Sequence, residues 1–401
     1  MKFSALALTA ATCIASASAE FFITENFNDD SWSSRWTVPT SWKPKGEMGA
    51  WKHTAGEYYG DADDKGIQTS EDARFYGLSA KLDKPFVSGD KPLVIQYSVK
   101  HEQNLDCGGA YIKLLPGGDN FDAKSFGGDT PYAVMFGPDI CGSNKRTHAI
   151  LHDFEKDDNL LIKKDVGTET DDLTHLYTLI VSPDNTIEVH VDNKSVRKGA
   201  LDDEFDFLLE KKIKDPDASK PTDWVDNAKM PDPDSKKPDD WDDQPEEIVD
   251  PDAKKPEDWD DEDDGEWEPP MIDNPDFQGE WKPKMIDNPD YKGKWEHPMI
   301  DNPDYKYNDD MYKVCRDGCT HVGFEIWQVK TGTLFDDIIV TDSIEEAKEY
   351  AEKTFFKKKE GEKKMYDEQL EAKRAAAASE MPEDDDYMGD MGMGDLMGDE
   401  F

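Results

Sequence analysis

Two different tandem repeats stand back to back between about residues 213 and 305. The first unit occurs three times, as Asp215-Pro216-Asp217-Ala218-Ser219-Lys220-Pro221-Thr222-Asp223-Trp224, again over 232–241 and again over 250–259. The second follows, also three times: Gly265-Glu266-Trp267 leading to Met271-Ile272-Asp273-Asn274-Pro275-Asp276-Phe277, then 279–291 and 293–305. Units this short, rich in Pro and Asp and holding so few apolar residues cannot bury an ordinary core. Three copies of one unit answered by three of another point to an extended hairpin arm, in which each outgoing unit pairs with a returning one.

The remaining chain has to supply whatever core there is. Of 401 residues only 36% are hydrophobic, and 91 Asp and Glu against 47 Lys and Arg leave a formal charge of −44. Phosphate backbones and anionic membranes would be repelled, so nucleic acid is not expected as a partner. Cations are, calcium above all, because it takes carboxylate and carbonyl oxygens. Lys2 ahead of the apolar 3–14 stretch, with Ala17-Ser18-Ala19 after it, has the form of a secretory signal peptide over 1–19. No later segment reaches the roughly 20 apolar residues of a membrane span. Beyond Cys13 the cysteines number four: Cys107, Cys141, Cys315 and Cys319. An even count in an oxidising compartment reads as disulfides; sequence order suggests Cys107–Cys141 and Cys315–Cys319, with three connectivities open. Asn193-Lys194-Ser195 is a glycosylation sequon.

Residues 20–212 carry short β-rich segments bounded by Gly, Pro and Asp: 93–99, 110–115, 132–136 and 148–151. The segments 176–181 and 186–191 around Pro183-Asp184-Asn185 form a hairpin signal. Strands return at 322–329 and 334–340, too few to fold alone, so 309–342 is expected to complete a sandwich begun by 20–212. The arm, 213–308, then interrupts one domain. A charged helix is expected over 343–379, with Ile344, Ala347, Tyr350 and Ala351 as its apolar stripe, and an acidic Met- and Gly-rich tail over 380–401 is expected to be disordered.

No phosphate loop, zinc helix or nucleophile elbow is present, so no enzyme is indicated. A jelly-roll glycoside hydrolase would need two facing carboxylates, and no motif supplies them. The three residues between Cys315 and Cys319 favour a structural disulfide over a redox pair. In a strand Tyr111 and Lys113 share a face, and a Cys107–Cys141 bridge would bring Asp139 towards it. Aromatic rings with charged groups beside them suit a sugar. The same residues also suit a solvent-facing sheet, and spacing does not choose between the two.

The repeats, together with residues 101–109 (His-Glu-Gln-Asn-Leu-Asp-Cys-Gly-Gly), 135–141 (Met-Phe-Gly-Pro-Asp-Ile-Cys) and 174–181 (Thr-His-Leu-Tyr-Thr-Leu-Ile-Val), closely resemble the calreticulin–calnexin family from about residue 21 to 355. With Trp327-Gln328-Val329-Lys330-Thr331-Gly332-Thr333 and no membrane span, the soluble branch is the nearer match. The resemblance implies an all-β, legume-lectin-like antiparallel sandwich with an inserted Pro- and Asp-rich arm and a C-terminal helix. It implies a monomeric, calcium-binding lectin chaperone of the endoplasmic reticulum. Its partners would be monoglucosylated high-mannose N-glycoproteins, unfolded proteins and a protein disulfide isomerase.

Residue by residue, the family's sugar contacts fall on Tyr111, Lys113, Tyr132, Met135, Asp139 and Trp327, and on Glu325, where the family has Asp. Trp327 could instead be core, but Phe324 and Ile326 on the opposite face are better core residues. Calcium would be held by the carbonyls of Asn26, Asp63 and Lys65 and the side chain of Asp336. The isomerase would meet Glu262, Asp264, Glu266 and Trp267 at the arm tip. Two departures stand out. The tail is short and broken by Met and Gly, which speaks against bulk calcium storage there, and the chain ends Gly398-Asp399-Glu400-Phe401, a variant of the usual retrieval signal. The alternative function is a luminal calcium buffer with a vestigial sugar site.

Overall fold

The computed structural model describes residues 19–259 and 265–380. The signal segment, the acidic tail with its last four residues, and Glu262 and Asp264 of the arm tip lie outside the described residues. The chain divides into two units: a body made of the described residues up to Leu209 and from Lys306 onward, and an arm, Glu210–Tyr305.

The body is two antiparallel sheets facing each other. In the first, of eight strands, the order is Lys194–Ala200, Thr186–Val191, Thr174–Ser182, Leu93–His101, Thr333–Thr341, Gly66–Thr69 and Trp51–Thr54, with Phe21–Glu25 also pairing Thr333–Thr341. In the second, of nine, Asp158–Leu161, Asn144–Asp153, Val134–Cys141, Cys107–Gly109, Cys319–Gln328, Arg74–Phe86 and Trp36–Thr37 follow one another, with Val166–Gly167 and Ile112–Leu115 joined at the side. The late strands thus enter the middle of each sheet, one per sheet. Val322, Phe324 and Ile326 from one and Phe335, Ile338 and Val340 from the other are fully buried in one shared core. Half a sandwich without them would expose both sheet interiors, so 20–212 and 309–342 have to fold together.

Period-two alternation explains which faces are free. Phe324 and Ile326 point into the core, while Glu325 and Trp327 between them face outward. Leu93–His101 breaks that rule, with every residue buried. Its inner face meets the second sheet: Tyr97 donates from its hydroxyl to the carbonyls of Ala110 and Phe136. Its outer face is covered by the C-terminal helix. Val94 packs with Ala347, and Gln96 donates to the Ala347 carbonyl at 3.1 Å. Ser343 caps that helix by accepting from the Glu346 N–H. Where one helix was expected, the structure has two, Ile344–Lys353 and Phe355–Glu380. The break falls at β-branched Thr354, whose hydroxyl donates to the Tyr350 carbonyl, and it turns Phe355 into a second apolar contact with Leu176 and Ala351.

The second helix is also held electrostatically. Lys359 donates to Asp192 at 2.6 Å, and Asp192 accepts from His175, which also reaches Asp171. Burial alone would raise Asp192, but the bonds from His175 and Lys359 hold it down, to about 2. Burial alone would lower His175, yet Asp192 and Asp171 raise it above its ordinary 6.5. The His175 contribution is therefore complete below pH 6.5 and is lost as pH rises through the folded value; that of Asp192 is complete above 3.8 and is lost as pH falls towards 2. The thermal midpoint should fall as pH rises above 6.5, and His175→Gln should flatten that fall. An unchanged slope in the variant would refute the assignment.

The arm builds a different kind of order. Three two-stranded pairs are nested: Lys212–Lys214 with Met299–Asp301, Lys229–Pro231 with Met285–Asp287, and Glu247–Val249 with Met271–Asp273. Each joins one unit of the first repeat to one of the second. The Trp of each first-type unit donates its indole N–H to the glycine that opens a second-type unit: Trp224 to Gly293, Trp241 to Gly279 and Trp259 to Gly265, at 2.8–2.9 Å. Those glycines have φ of 72–87° with open space around them, so it is the left-handed backbone that asks for glycine there. The repeats stand by pairing and hydrogen bonding where burial is not available. Against the expected 213–308, the arm begins and ends three residues earlier.

Both expected disulfides are formed, Cys107–Cys141 and Cys315–Cys319. The first joins two residues directly opposite each other in neighbouring strands. The Asn193 sequon sits in the turn between Thr186–Val191 and Lys194–Ala200, where Asp192 and Asn193 both have positive φ.

Candidate functional site

The outward face of the nine-stranded sheet gathers most of the sequence-expected contact residues. Strand register places Lys113 opposite both Met135 and Gly323, and Asp139 opposite Gly109. Lys113, only 3% exposed, forms an ion pair with Glu325 at 2.7 Å and lies 4.9 Å from the centre of the Tyr132 ring. Asp139 pairs with His148 at 3.0 Å, and the His148 ring stands edge-on to Tyr111. Trp327, 37% exposed, lies against Phe75 with ring centres 4.7 Å apart.

Tyr111 lies in a break between the strands Cys107–Gly109 and Ile112–Leu115, where one continuous strand over 110–115 was expected, and Tyr132 precedes the strand Val134–Cys141. Neither is therefore held by ladder hydrogen bonds alone. Burial, then the charges of Glu325 and Asp139, push the Tyr111 phenol up; burial and Glu325 do the same for Tyr132. Both phenols stay protonated and able to donate. The face combines neutral hydroxyls, a half-exposed indole and an ammonium–carboxylate pair. That suits an uncharged, hydroxyl-rich ligand with an apolar ring face.

A second cluster lies where the eight-stranded sheet meets the C-terminal helix. Lys358 reaches Asp336 at 2.7 Å and Asp337 at 3.0 Å, and contacts Asp64 more closely still. Consecutive strand residues normally face opposite ways; here a bulge, with Asp337 at φ 53°, lets both carboxylates meet one ammonium. Burial would depress Lys358, but Asp336 and Asp337 hold it well above the ordinary lysine range. Burial and the Asp337 charge push Asp336 up. Asn28 links the segments, donating to Asp64 and accepting from the Lys65 N–H.

A model of the calreticulin family matches residues 23–264 and 262–340. The chain is 55% identical to the calreticulin of Dictyostelium discoideum over 348 residues, covering 86% of this chain and 80% of that protein. It is 55% identical to the calreticulin of Caenorhabditis elegans over 351 residues, covering 87% and 86%. The chain belongs to the calreticulin family. Among solved structures, the T. cruzi calreticulin globular domain superposes with a TM-score of 0.61 at 30% identity, over 88% of this chain and 100% of that one. Family membership brings a lectin-chaperone role, calcium binding and an endoplasmic reticulum setting. Among the described residues no helix is long and apolar enough to cross a membrane.

Of the residues the calreticulin-family pattern selects, Tyr111, Lys113, Tyr132, Met135, Asp139, Glu325 and Trp327 fall on or beside this outward face. Three contributors escaped the sequence. His148 reaches Asp139 only through strand register, and Phe75 backs Trp327 from the neighbouring strand. Gly128 neighbours Glu325: a Cβ there would stand 3.6 Å from its carboxylate, an ordinary van der Waals contact. Cross-strand register is the signal that finds such partners, and it cannot be read before the strands are paired.

Among the described residues, no group of three or more His, Cys, Asp or Glu is arranged to hold a metal unaided; the Asp64, Asp336 and Asp337 trio is filled by Lys358. The donors nevertheless fit calcium in kind. All are oxygens, and Asp336 Oδ1 and Asp337 Oδ1 are buried with no hydrogen-bond partner. Asn26, Asp63 and Lys65 lie beside residues that Asn28 and Lys358 tie towards Asp336. At the arm tip, Glu266 is exposed and Trp267 is partly buried.

Proposed function

We propose that the outward face bearing the Lys113–Glu325 pair binds monoglucosylated high-mannose N-glycans on newly made glycoproteins, holding them reversibly during folding. The supporting observation is that buried pair, with two protonated tyrosines beside it and Asp139 within the same face. Hydroxyl groups take bonds from the ammonium and the phenols and donate to the carboxylates, while Trp327 and Met135 offer apolar surface to the ring. Glu325 is one methylene longer than the family's Asp, and its bond to Lys113 takes up that length without leaving either charge unpaired. Nothing in this scheme makes or breaks a covalent bond.

Calcium would sit with Asp336 and the carbonyls of Asn26, Asp63 and Lys65, joining the N-terminal strand to the late strands, and its role there is to stabilise the fold. The arm tip, with Glu266, Trp267 and the neighbouring Glu262 and Asp264, offers acidic groups and an aromatic anchor to a protein disulfide isomerase.

Asp139→Ala should abolish binding of a glucosylated mannose oligosaccharide, read by calorimetry, while the melting temperature stays within a few degrees of wild type. Unchanged affinity would sink the assignment of this face. Many weak calcium sites in equilibrium dialysis, with no glycan affinity, would favour the calcium-buffer function instead.

A further inference from the structure

The expected leader ends at Ala19, and the residue after it meets a buried carboxylate. The Glu20 N–H donates to Asp342 Oδ1 at 2.8 Å, although 322 positions separate the two. We propose that Asp342 is the receiving site for the α-ammonium set free when the Ala19–Glu20 bond is hydrolysed. Removal of the leader then latches the N-terminal strand to the start of the C-terminal helix. The proposal rests on the signal-peptide reading of residues 1–19 and is independent of the sugar face.

Three observations carry it. First, the residue that would open the processed chain is already seated. The Glu20 carbonyl accepts from the Thr341 hydroxyl at 2.8 Å and from the Asp342 N–H at 3.2 Å. The Glu20 carboxylate pairs with Lys84 at 2.6 Å. Phe21, next in the chain, stands opposite Thr341 in the sheet, with its ring centre 6.4 Å from that of Tyr350 on the helix. Ser343, which caps that helix, follows Asp342 directly.

Second, Asp342 can take two cations, one on each oxygen. It is only 8% exposed, and Lys91 holds Oδ2 at 2.7 Å while Oδ1 meets the Glu20 nitrogen. Before hydrolysis that nitrogen is a neutral amide. A signal-processing peptidase breaks its bond to the Ala19 carbonyl carbon. Water supplies the oxygen of the new Ala19 carboxylate and the two protons that turn the amide nitrogen into an ammonium. A neutral hydrogen bond thereby becomes a charge-assisted one, roughly twice as strong, in the place where it already stands.

Third, the surroundings favour a positive charge. A cavity of about 550 Å³ opens beside Glu20, lined by Phe22 and Val87 and by Glu20, Asp90, Lys91 and Asp342 among its charged groups. Three carboxylates against one ammonium draw a cation. The cavity is open to solvent, which takes the protons that Asp342 does not.

The test begins with the full chain secreted from a eukaryotic host. Its intact mass should place the first residue at Glu20, and any other first residue overturns the proposal. That chain is then compared with the same chain acetylated at the α-amine, which keeps an N–H on the nitrogen and loses only the charge. Denaturant titration should find the folded-to-unfolded ratio about tenfold higher for the free amine. In Asp342→Asn the two forms should unfold alike, because loss of the Lys91 pair is common to both. A chain that retains Ala19 should behave as the acetylated form, its ammonium lying one residue, about 3.8 Å, further out. Equal stability of the free and acetylated chains overturns the latch and leaves leader removal standing. A difference that survives in Asp342→Asn assigns the effect to another carboxylate and overturns the receiving site. Should Asp342→Asn not fold, titration of the isotope-labelled α-amine in the wild type replaces it. Asp342, Asp90 and the Glu20 carboxylate face that amine against Lys84 and Lys91, so it should titrate above the ordinary range of about 7.7–8.0. An ordinary value overturns the pair.

Discussion

Lys113→Met is expected to abolish glycan binding and to lower stability by about 3–5 kcal/mol, the usual cost of removing one partner of a buried ion pair. Lys113 is almost wholly buried and the Glu325 side chain is 13% exposed, so the truncation leaves a largely desolvated carboxylate without its counter-charge. The double variant Lys113→Met/Glu325→Leu should recover most of the lost stability, because an apolar pair of similar volume replaces both charges together. It should not recover binding. That contrast separates the two roles of the pair: stability needs the charges balanced, whereas recognition needs them present. Calorimetry for the ligand and denaturant titration for the fold read the two independently. A Lys113→Met protein that binds glycan as wild type does would remove the pair from the site, and a double variant no more stable than the single one would remove the electrostatic explanation.

Lys358→Ala should cost a similar amount in calcium-free buffer, about 3–5 kcal/mol, since it leaves Asp336 and Asp337 buried side by side with no cation between them. If calcium occupies the neighbourhood of Asp336, it should stabilise the variant more than the wild type. A cation that binds only the folded state contributes about 2.7 kcal/mol at a hundredfold excess over its Kd. In the wild type it would first have to displace the ammonium. Thermal unfolding with and without calcium decides the matter. Equal stability of variant and wild type without calcium would show that Lys358 is not balancing the carboxylates. Equal calcium shifts in both would show that the ion and the lysine do not share a place.

Both predictions turn on partners that the sequence does not place together. Lys358 stands in a run of lysines, Lys357, Lys358 and Lys359, on a helix whose apolar stripe is easily read. That Lys358 finds Asp336 while Lys359 finds Asp192 depends on how the helix breaks at Thr354 and lies across the sheet. The same holds for His148 and Phe75 at the outward face of the nine-stranded sheet, and for Trp42, which lies 85 positions before the Gly127 it covers. Local features were legible. The hairpin around Asn185, the alternation that turns Phe324 inward and Trp327 outward, and the cap at Ser343 each follow from a few neighbouring residues. Strand edges were less so: Tyr111 and Tyr132 sit outside the strands expected to carry them, because pairing across the sheet decides where a strand stops.

What the sequence determined by itself was the arm, the family and the residue types available for binding. The arm is legible because its order is local and repeated: each glycine, turn and tryptophan recurs at a nearly constant interval, and three copies make the pattern unmistakable. The tertiary structure alone decided that a cation from the C-terminal helix fills the carboxylate cluster, and that His148 and Phe75 stand against Asp139 and Trp327 on the outward face of the nine-stranded sheet. Those arrangements join residues from distant parts of the chain, and their energy comes from burial and charge balance, which exist only once the two sheets and the helix have closed on one another.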